Sequence, residues 1–174
     1  MNTSHLANVA ESLIVHELML NNLVVAKPYT DMLGADLIAF SEFDDGLRFC
    51  RIQCKGRSLK EKGRTTIQIP KSYVDSPFMV VLFLMFDRGS SQLLCFFSSD
   101  IRQWQSSAKG TYVLSLSRKK VEEHLQFYRF SESKMDILKT LIQKANESGT
   151  FYEAVYGSAN AVLKIGGGES PGSA

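Results

Sequence analysis

Gly34-Ala35-Asp36-Leu37-Ile38-Ala39 and, further along, Arg51-Ile52-Gln53-Cys54-Lys55-Gly56-Arg57 decide how this chain is read. Each lies on an apolar run of strand length, and Phe43-Asp44-Asp45-Gly46 joins the two runs. Asp-Gly between such runs signals a tight hairpin, because both central residues of the favoured turn take positive φ. With Asp45 and Gly46 at the turn, Asp36 lies across from Lys55; with Asp44 and Asp45 there, it lies across from Gln53. Side chains alternate along a strand, so Gln53 and Lys55 share a face and Cys54 points the other way. Either register gathers a carboxylate, an amide oxygen and an ammonium on one patch of sheet, which a three-residue loop would not do.

Such a patch has the chemistry to cut phosphodiesters. Mg²⁺ prefers oxygen ligands, keeps several waters, and is held by one or two carboxylates together with substrate phosphate oxygens. Asp36 supplies a carboxylate, Gln53 an amide oxygen and Cys54 its peptide carbonyl. The metal acidifies a bound water and neutralises charge on the phosphate. Lys55 beside it is suited to orient or help deprotonate that water and to stabilise developing charge. Spacing alone favours an ordinary Asp36–Lys55 cross-strand ion pair, with Gln53 on a solvated face, and it is the surrounding chain that turns the balance.

The arrangement resembles the PD-(D/E)xK superfamily of restriction-endonuclease-like nucleases. Their strand pair carries an Asp, then a carboxylate or Gln, one residue and a Lys. It is most similar to the branch with Gln in second position, which includes small group I intron-encoded homing endonucleases; the same core occurs in Holliday-junction resolvases. In that branch a first helix carries a Glu, in a pattern that here reads Glu11-Ser12-Leu13-Ile14-Val15-His16-Glu17-Leu18, then Asn21-Asn22, then Leu23-Val24-Val25-Ala26-Lys27-Pro28. The resemblance covers residues 5–71 in motifs and reaches about residue 145 in element order. It implies an active site of Glu11, Asp36, Gln53 and Lys55. Mg²⁺, with Mn²⁺ as a substitute, would sit on Glu11, Asp36, Gln53 and the Cys54 carbonyl. Ala35 stands where a Pro usually precedes the Asp, a change of backbone shape alone. Gln53 in place of a carboxylate leaves less negative charge for the metal, which makes Glu11 more necessary and loss of activity an open alternative.

A chain of 174 residues with 44% hydrophobic content suits one domain with a real core. The N-terminus has no charged-then-apolar signal pattern, and Pro77–Phe86, the longest apolar run, is too short to span a bilayer. Cys50, Cys54 and Cys95 have no zinc-type spacing to histidines and read as free, mostly buried thiols in a reducing cytoplasm. The expectation is a cytoplasmic protein without a membrane partner.

Net charge is only +2, but it is unevenly spread. From Gly46 to Lys71, Arg48, Arg51, Lys55, Arg57, Lys60, Lys62, Arg64 and Lys71 face Glu61 alone; from Met1 to Asp45, Lys27 is the single cation among seven acids. The basic half adjoins the candidate site, which favours a phosphate backbone as partner. Arg57, Lys60, Lys62, Arg64 and Lys71 are the candidate nucleic-acid contacts. Arg118, Lys119 and Lys120 read as a solvated cluster.

The remaining organisation is α/β: a mixed central sheet flanked by helices, in a restriction-endonuclease-like core. A helix over residues 2–20, capped by Thr3 or Ser4 and stopped at Asn22, presents Leu6, Val9, Leu13 and Leu20 as its apolar stripe. Glu11 falls among Ala7, Val15 and Leu18, where a carboxylate needs a partner. Strands follow at 23–27, 36–40, 48–55, 65–70, 78–86, 93–97 and 111–116, with a mobile basic loop over 56–63. A short helix or turn covers 100–105. Ser117 caps a helix to about residue 125, and Ser131 or Ser133 another to about residue 146. Trp104 reads as a packing anchor, and Phe151–Tyr156 as a core or dimer contact. The domain is placed at 1–157 and a flexible tail at 158–174. That tail lacks the Gly-Lys-Ser/Thr ending of a phosphate-binding loop, and the three histidines have no triad context. The expectation is a Mg²⁺-dependent DNA endonuclease, homing or restriction-like, acting on double-stranded DNA as a homodimer or larger homo-oligomer. The alternatives are an inactive DNA-binding or assembly module of the same fold, or a branched-DNA resolvase.

Overall fold

A computed structural model of the protein describes residues 3–30, 34–44, 46–75, 77–86 and 89–145. In chain order the elements are α1 (Thr3–Leu20), β1 (Val24–Ala26), β2 (Leu37–Phe43), β3 (Gly46–Leu59), β4 (Arg64–Pro70), a 3₁₀ turn (Lys71–Val74), β5 (Phe78–Phe86), β6 (Ser91–Phe97), α2 (Ser98–Ile101), β7 (Gln105–Ser106), β8 (Thr111–Ser117), α3 (Arg118–Tyr128) and α4 (Glu132–Gln143). The expected tail and Phe151–Tyr156 lie outside the described residues. Strands β1-β2-β3-β5-β6 form one sheet and β4-β8-β7 a second. In the larger sheet β3 and β5 are parallel and the other pairs antiparallel. This is the expected α/β fold with a mixed sheet and flanking helices, consistent with a restriction-endonuclease-like core. Among the described residues no helix is long and apolar enough to cross a membrane.

The apolar run of β5 is unbroken because both its faces are covered, as parallel strands require. Met79, Val81 and Phe83 pack with α1 and α4 residues such as Ile14, Leu18 and Leu138. Phe78, Val80, Leu82, Leu84 and Phe86 pack on the other side with Ile67, Ile69 and Leu116 from the smaller sheet. Trp104 stacks edge-on against Phe96 at 5.2 Å, the packing role expected of it. Cys50, Cys54 and Cys95 are buried and free.

Helix α1 ends where Asn22 turns left-handed (φ 60°). Asn22 N–H donates to Met19 O at 3.0 Å and Leu23 N–H to Leu18 O at 3.2 Å, a Schellman closure that reverses the chain into β1. Of the expected stripe Leu6 is buried and Val9 packs against the core, but Leu13 is 39% and Leu20 64% exposed, and the buried face is completed by Ala10, Ile14 and Leu18. Apolar residues surround most of α1, so the wheel alone does not choose a face. Gly56 on β3 does. A Cβ there would lie 2.6 Å from the Leu6 carbonyl oxygen, so the helix backbone rests on the strand only because that position has no side chain.

The same glycine corrects the expected loop over 56–63. β3 runs on to Leu59, paired in parallel with β5 as far as Leu59–Phe86, and Leu59 is buried. Only Lys60–Gly63 lies between β3 and β4. Gly56 marks a close approach within a strand, not its end.

Candidate active site

The β2–β3 register runs from Phe43–Gly46 to Leu37–Ile52, so residues 44 and 45 form the connection. Asp36, one residue beyond Leu37, donates its N–H to Ile52 O at 2.9 Å and thereby lies alongside Gln53. Of the two registers open in the sequence, the one opposing Asp36 to Gln53 is adopted and the one opposing it to Lys55 is not.

Asp36 is thereby fixed at both ends. Its Oδ2 accepts a hydrogen bond from Gln53 Nε2 and another, 2.7 Å long, from the Cys54 backbone N–H. Two donors converging on one carboxylate oxygen lock the rotamer. Gln53 is buried and turns its amide nitrogen to Asp36; Oε1 is the atom of that amide with ligand chemistry. Lys55 follows on the same face of β3, half-buried and level with Leu82 of β5.

Glu11 is supplied by α1. Its side chain is 23% exposed and forms an ion pair with Lys27, Nζ to Oε2 2.5 Å, just beyond the end of β1. Lys27 was not among the residues singled out in the sequence. Its available signal was a lone cation in a run of acids, one position past the strand that pairs Ala26 with Ile38. The hydrogen bond to Glu11 and the charge of Glu11 raise the Lys27 pKa above its ordinary 10.5 against some desolvation, and Asp36 and Cys54 add to the rise.

Cys54 reports how close these groups stand. Burial pushes its thiol well above the usual range, followed by the negative charges of Asp36 and Glu11, while Lys55 and Lys27 pull the other way. Two pairs are fixed by contact: Asp36 to Gln53 and the Cys54 N–H, and Glu11 to Lys27. Among the described residues no three His, Cys, Asp or Glu side chains converge as a metal-holding group. The expected ligands Glu11, Asp36, Gln53 and the Cys54 carbonyl offer oxygen donors only, a chemistry that suits a hard divalent ion keeping much of its water.

The expected nucleic-acid residues divide. Lys60, Lys62 and Arg64 are exposed at the far end of β3. Arg57 is tied to backbone, Nε to Thr66 O at 3.3 Å and Nη1 to Gly56 O at 2.8 Å. Lys71 lies at the opposite end of β4, about 20 Å from Arg64 along the strand, with its Nζ 5.6 Å from the Tyr112 ring centre. The basic run of the sequence is therefore not one patch.

Residues 1–81, which carry α1, the β2–β3 hairpin and every residue of the cluster, match the family model described as PD-(D/E)XK endonuclease. No curated protein matches the chain.

Proposed function

Because residues 1–81 belong to the PD-(D/E)XK endonuclease superfamily, we propose that this protein is a divalent-metal-dependent endodeoxyribonuclease with Glu11, Asp36, Gln53 and Lys55 as its active site. The observation that carries the reading is the double anchoring of Asp36 by Gln53 and Cys54 N–H, with Lys55 next on the same face of β3. Glu11, Asp36, Gln53 Oε1 and the Cys54 carbonyl would hold Mg²⁺ or Mn²⁺. When bound, that ion supplies an acidified water and neutralises charge on the scissile phosphate. Asp36 keeps its position because the β2–β3 ladder fixes its backbone and two donors fix its carboxylate. Lys55 holds the attacking water and offsets charge on the phosphate oxygens. Lys27 orients Glu11.

The substrate is double-stranded DNA in this reading, and a cut through both strands asks for two such sites, hence a homodimer or larger homo-oligomer acting in the cytoplasm. A single domain from 1 to 157 with a tail after it completes the picture. Homing, restriction and branched-DNA resolution share this chemistry and differ in substrate, which a panel of linear, supercoiled and four-way-junction DNA separates. Gln53 at a position that carries a carboxylate in many relatives favours a second reading, a DNA-binding or assembly module without cleavage.

Nicking of supercoiled plasmid in Mg²⁺ or Mn²⁺ tests the proposal. Metal-dependent nicking by the parent that disappears in Asp36→Ala and in Lys55→Ala is the expected result. Nicking that survives both substitutions overturns the site. No nicking, with salt-sensitive DNA binding retained, favours the module.

A further inference from the structure

A second basic site lies away from the catalytic cluster, where two distant parts of the sequence meet. Lys62, between β3 and β4, and Arg64, the first residue of β4, line one open groove of about 470 Å³ with Arg118 and Lys119 at the start of α3. Arg64 and Lys120 line a smaller adjoining pocket of about 90 Å³ together with Ser115 and Ser117. The pairing of Arg64 with Ser117 across β4 and β8 brings the two clusters together. Glu61 and Glu122 also border the groove, so cations outnumber anions there.

The fold accounts for only part of this charge. Arg118 has structural partners: it lies 4.2 Å over the Phe86 ring and 3.6 Å from Glu122. Lys119 and Lys120 are exposed and, among the described residues, make no ion pair. They occupy the first turn of an 11-residue helix that has no acid in that turn. Positive charge there opposes the helix dipole, so placing three cations in succession costs stability unless an anion offsets them.

The groove also stands in register with the active site. Lys55 is level with Leu82, and Leu59 with Phe86, the ring that Arg118 covers. Four strand residues separate the two levels, about 13 Å. A duplex advances about 3.4 Å per base pair along its axis, so one lying along β3 would span that separation in about four base pairs.

We propose that this groove, built from Lys62, Arg64, Arg118, Lys119 and Lys120, binds the phosphate backbone of the DNA duplex flanking the cut. The inference rests on the nuclease reading above and adds to it a place and a partner chemistry: sequence-independent backbone binding by α3 as well as by the β3–β4 loop.

The test compares three proteins: the parent, the combined Arg64→Gln, Lys119→Gln and Lys120→Gln variant, and a charge-matched control with Lys109→Gln, Lys139→Gln and Lys144→Gln. Affinity for a duplex several helical turns long is measured in EDTA across a salt series, and plasmid nicking by the parent is measured in Mg²⁺. The expected result is a log K against log salt slope shallower by about 2–3 in the groove variant, at about 0.9 for each phosphate no longer neutralised, and unchanged in the control. Should the triple variant fail to fold, the single variants are read instead, each shallower by about 0.9. A parent that nicks DNA while groove and control variants both keep its slope, or both become shallower by the same amount, overturns the groove and leaves the nuclease standing. A parent that neither binds nor nicks DNA overturns both.

Discussion

Lys27 Nζ stands 2.5 Å from Glu11 Oε2, joining the chain just after β1 to the middle of α1 across the candidate site. In the proposed function Glu11 is a metal ligand, so the Lys27 ammonium competes with the metal for the same oxygen. Lys27→Met removes the competitor and keeps the aliphatic stem. The expected outcome in calorimetric titration with Mg²⁺ is affinity tighter by about two- to fivefold, the range set by an exposed ion pair. A lower nicking rate should accompany it, because Glu11 is then less well oriented. Weaker metal binding in this variant would mean that Lys27 holds Glu11 in place for the metal and does not compete with it.

Gly56 gives a sharper test of how the site is assembled. A methyl group at this position meets the Leu6 carbonyl oxygen at 2.6 Å, and backbone cannot yield as a flexible side chain can. Gly56→Ala therefore pushes α1, and Glu11 with it, off the sheet. Overpacking of this kind costs about 1–3 kcal/mol. Thermal melting should show that loss, and nicking should fall further than stability does, since a small displacement of Glu11 affects the chemistry directly. An unchanged melting temperature would place the orientation of α1 elsewhere, in Ile14 and Leu18.

These two positions also show what was legible in the sequence. The β2–β3 hairpin and its polar residues were readable because a period of two and an Asp-Gly signal are local. Its register was not, because the two candidates differ by two residues and leave Leu37, Ala39, Cys50 and Ile52 on one face in either case. Asp36 meets Gln53 only because Phe43 pairs with Gly46. The face of α1 was unreadable for a related reason: with Leu13, Met19 and Leu20 as apolar as the buried set, the choice falls to a glycine 50 residues after Leu6. Lys27 looked like one lysine among acids, and only the β1–β2 ladder brings it to Glu11. Division of the strands into two sheets depends on β4 pairing with β8 across more than 40 residues, which no local pattern encodes. The buried double-faced run of β5 and the buried thiols were evident from composition and length alone.

The thiols carry a pH dependence. Burial raises the Cys95 pKa from 9.0 up to about 12, with Lys134 lowering it somewhat and Asp100 raising it. A raised folded pKa means that the native state holds its proton where the unfolded chain releases it. Stability is therefore fully retained below pH 9 and declines from there towards pH 12, by about 1.4 kcal/mol per pH unit for each such thiol. Cys54 shifts in the same direction for the same leading reason. Iodoacetamide at pH 8 should leave both unmodified in the native protein and label them at the rate of unfolding, as mass spectrometry after a denaturant series will show. Rapid labelling of Cys54 in native buffer would mean that the β3 backbone beside Asp36 opens readily.

Gln53→Glu turns the departure from the usual acidic residue into a measurement. In the parent, Gln53 Nε2 donates to Asp36 Oδ2. A glutamate in its place removes that donor and sets a second carboxylate against the first at a buried position, leaving Asp36 with the hydrogen bond from the Cys54 N–H. In EDTA the variant should be less stable by about 1–3 kcal/mol, the cost of a buried polar group left without its partner. A divalent ion reverses the sign of the effect, because two facing carboxylates then share a positive charge, and affinity for Mg²⁺ should rise tenfold or more on the order expected for one added charge at short range. The observable is the difference in melting temperature between EDTA and Mg²⁺, small in the parent and large in the variant. If nicking rises with it, Gln53 limits a working nuclease by weakening its hold on metal. If stability falls in EDTA and Mg²⁺ does not restore it, Asp36 and residue 53 do not face a common ion, and the proposed ligand set is wrong at Gln53.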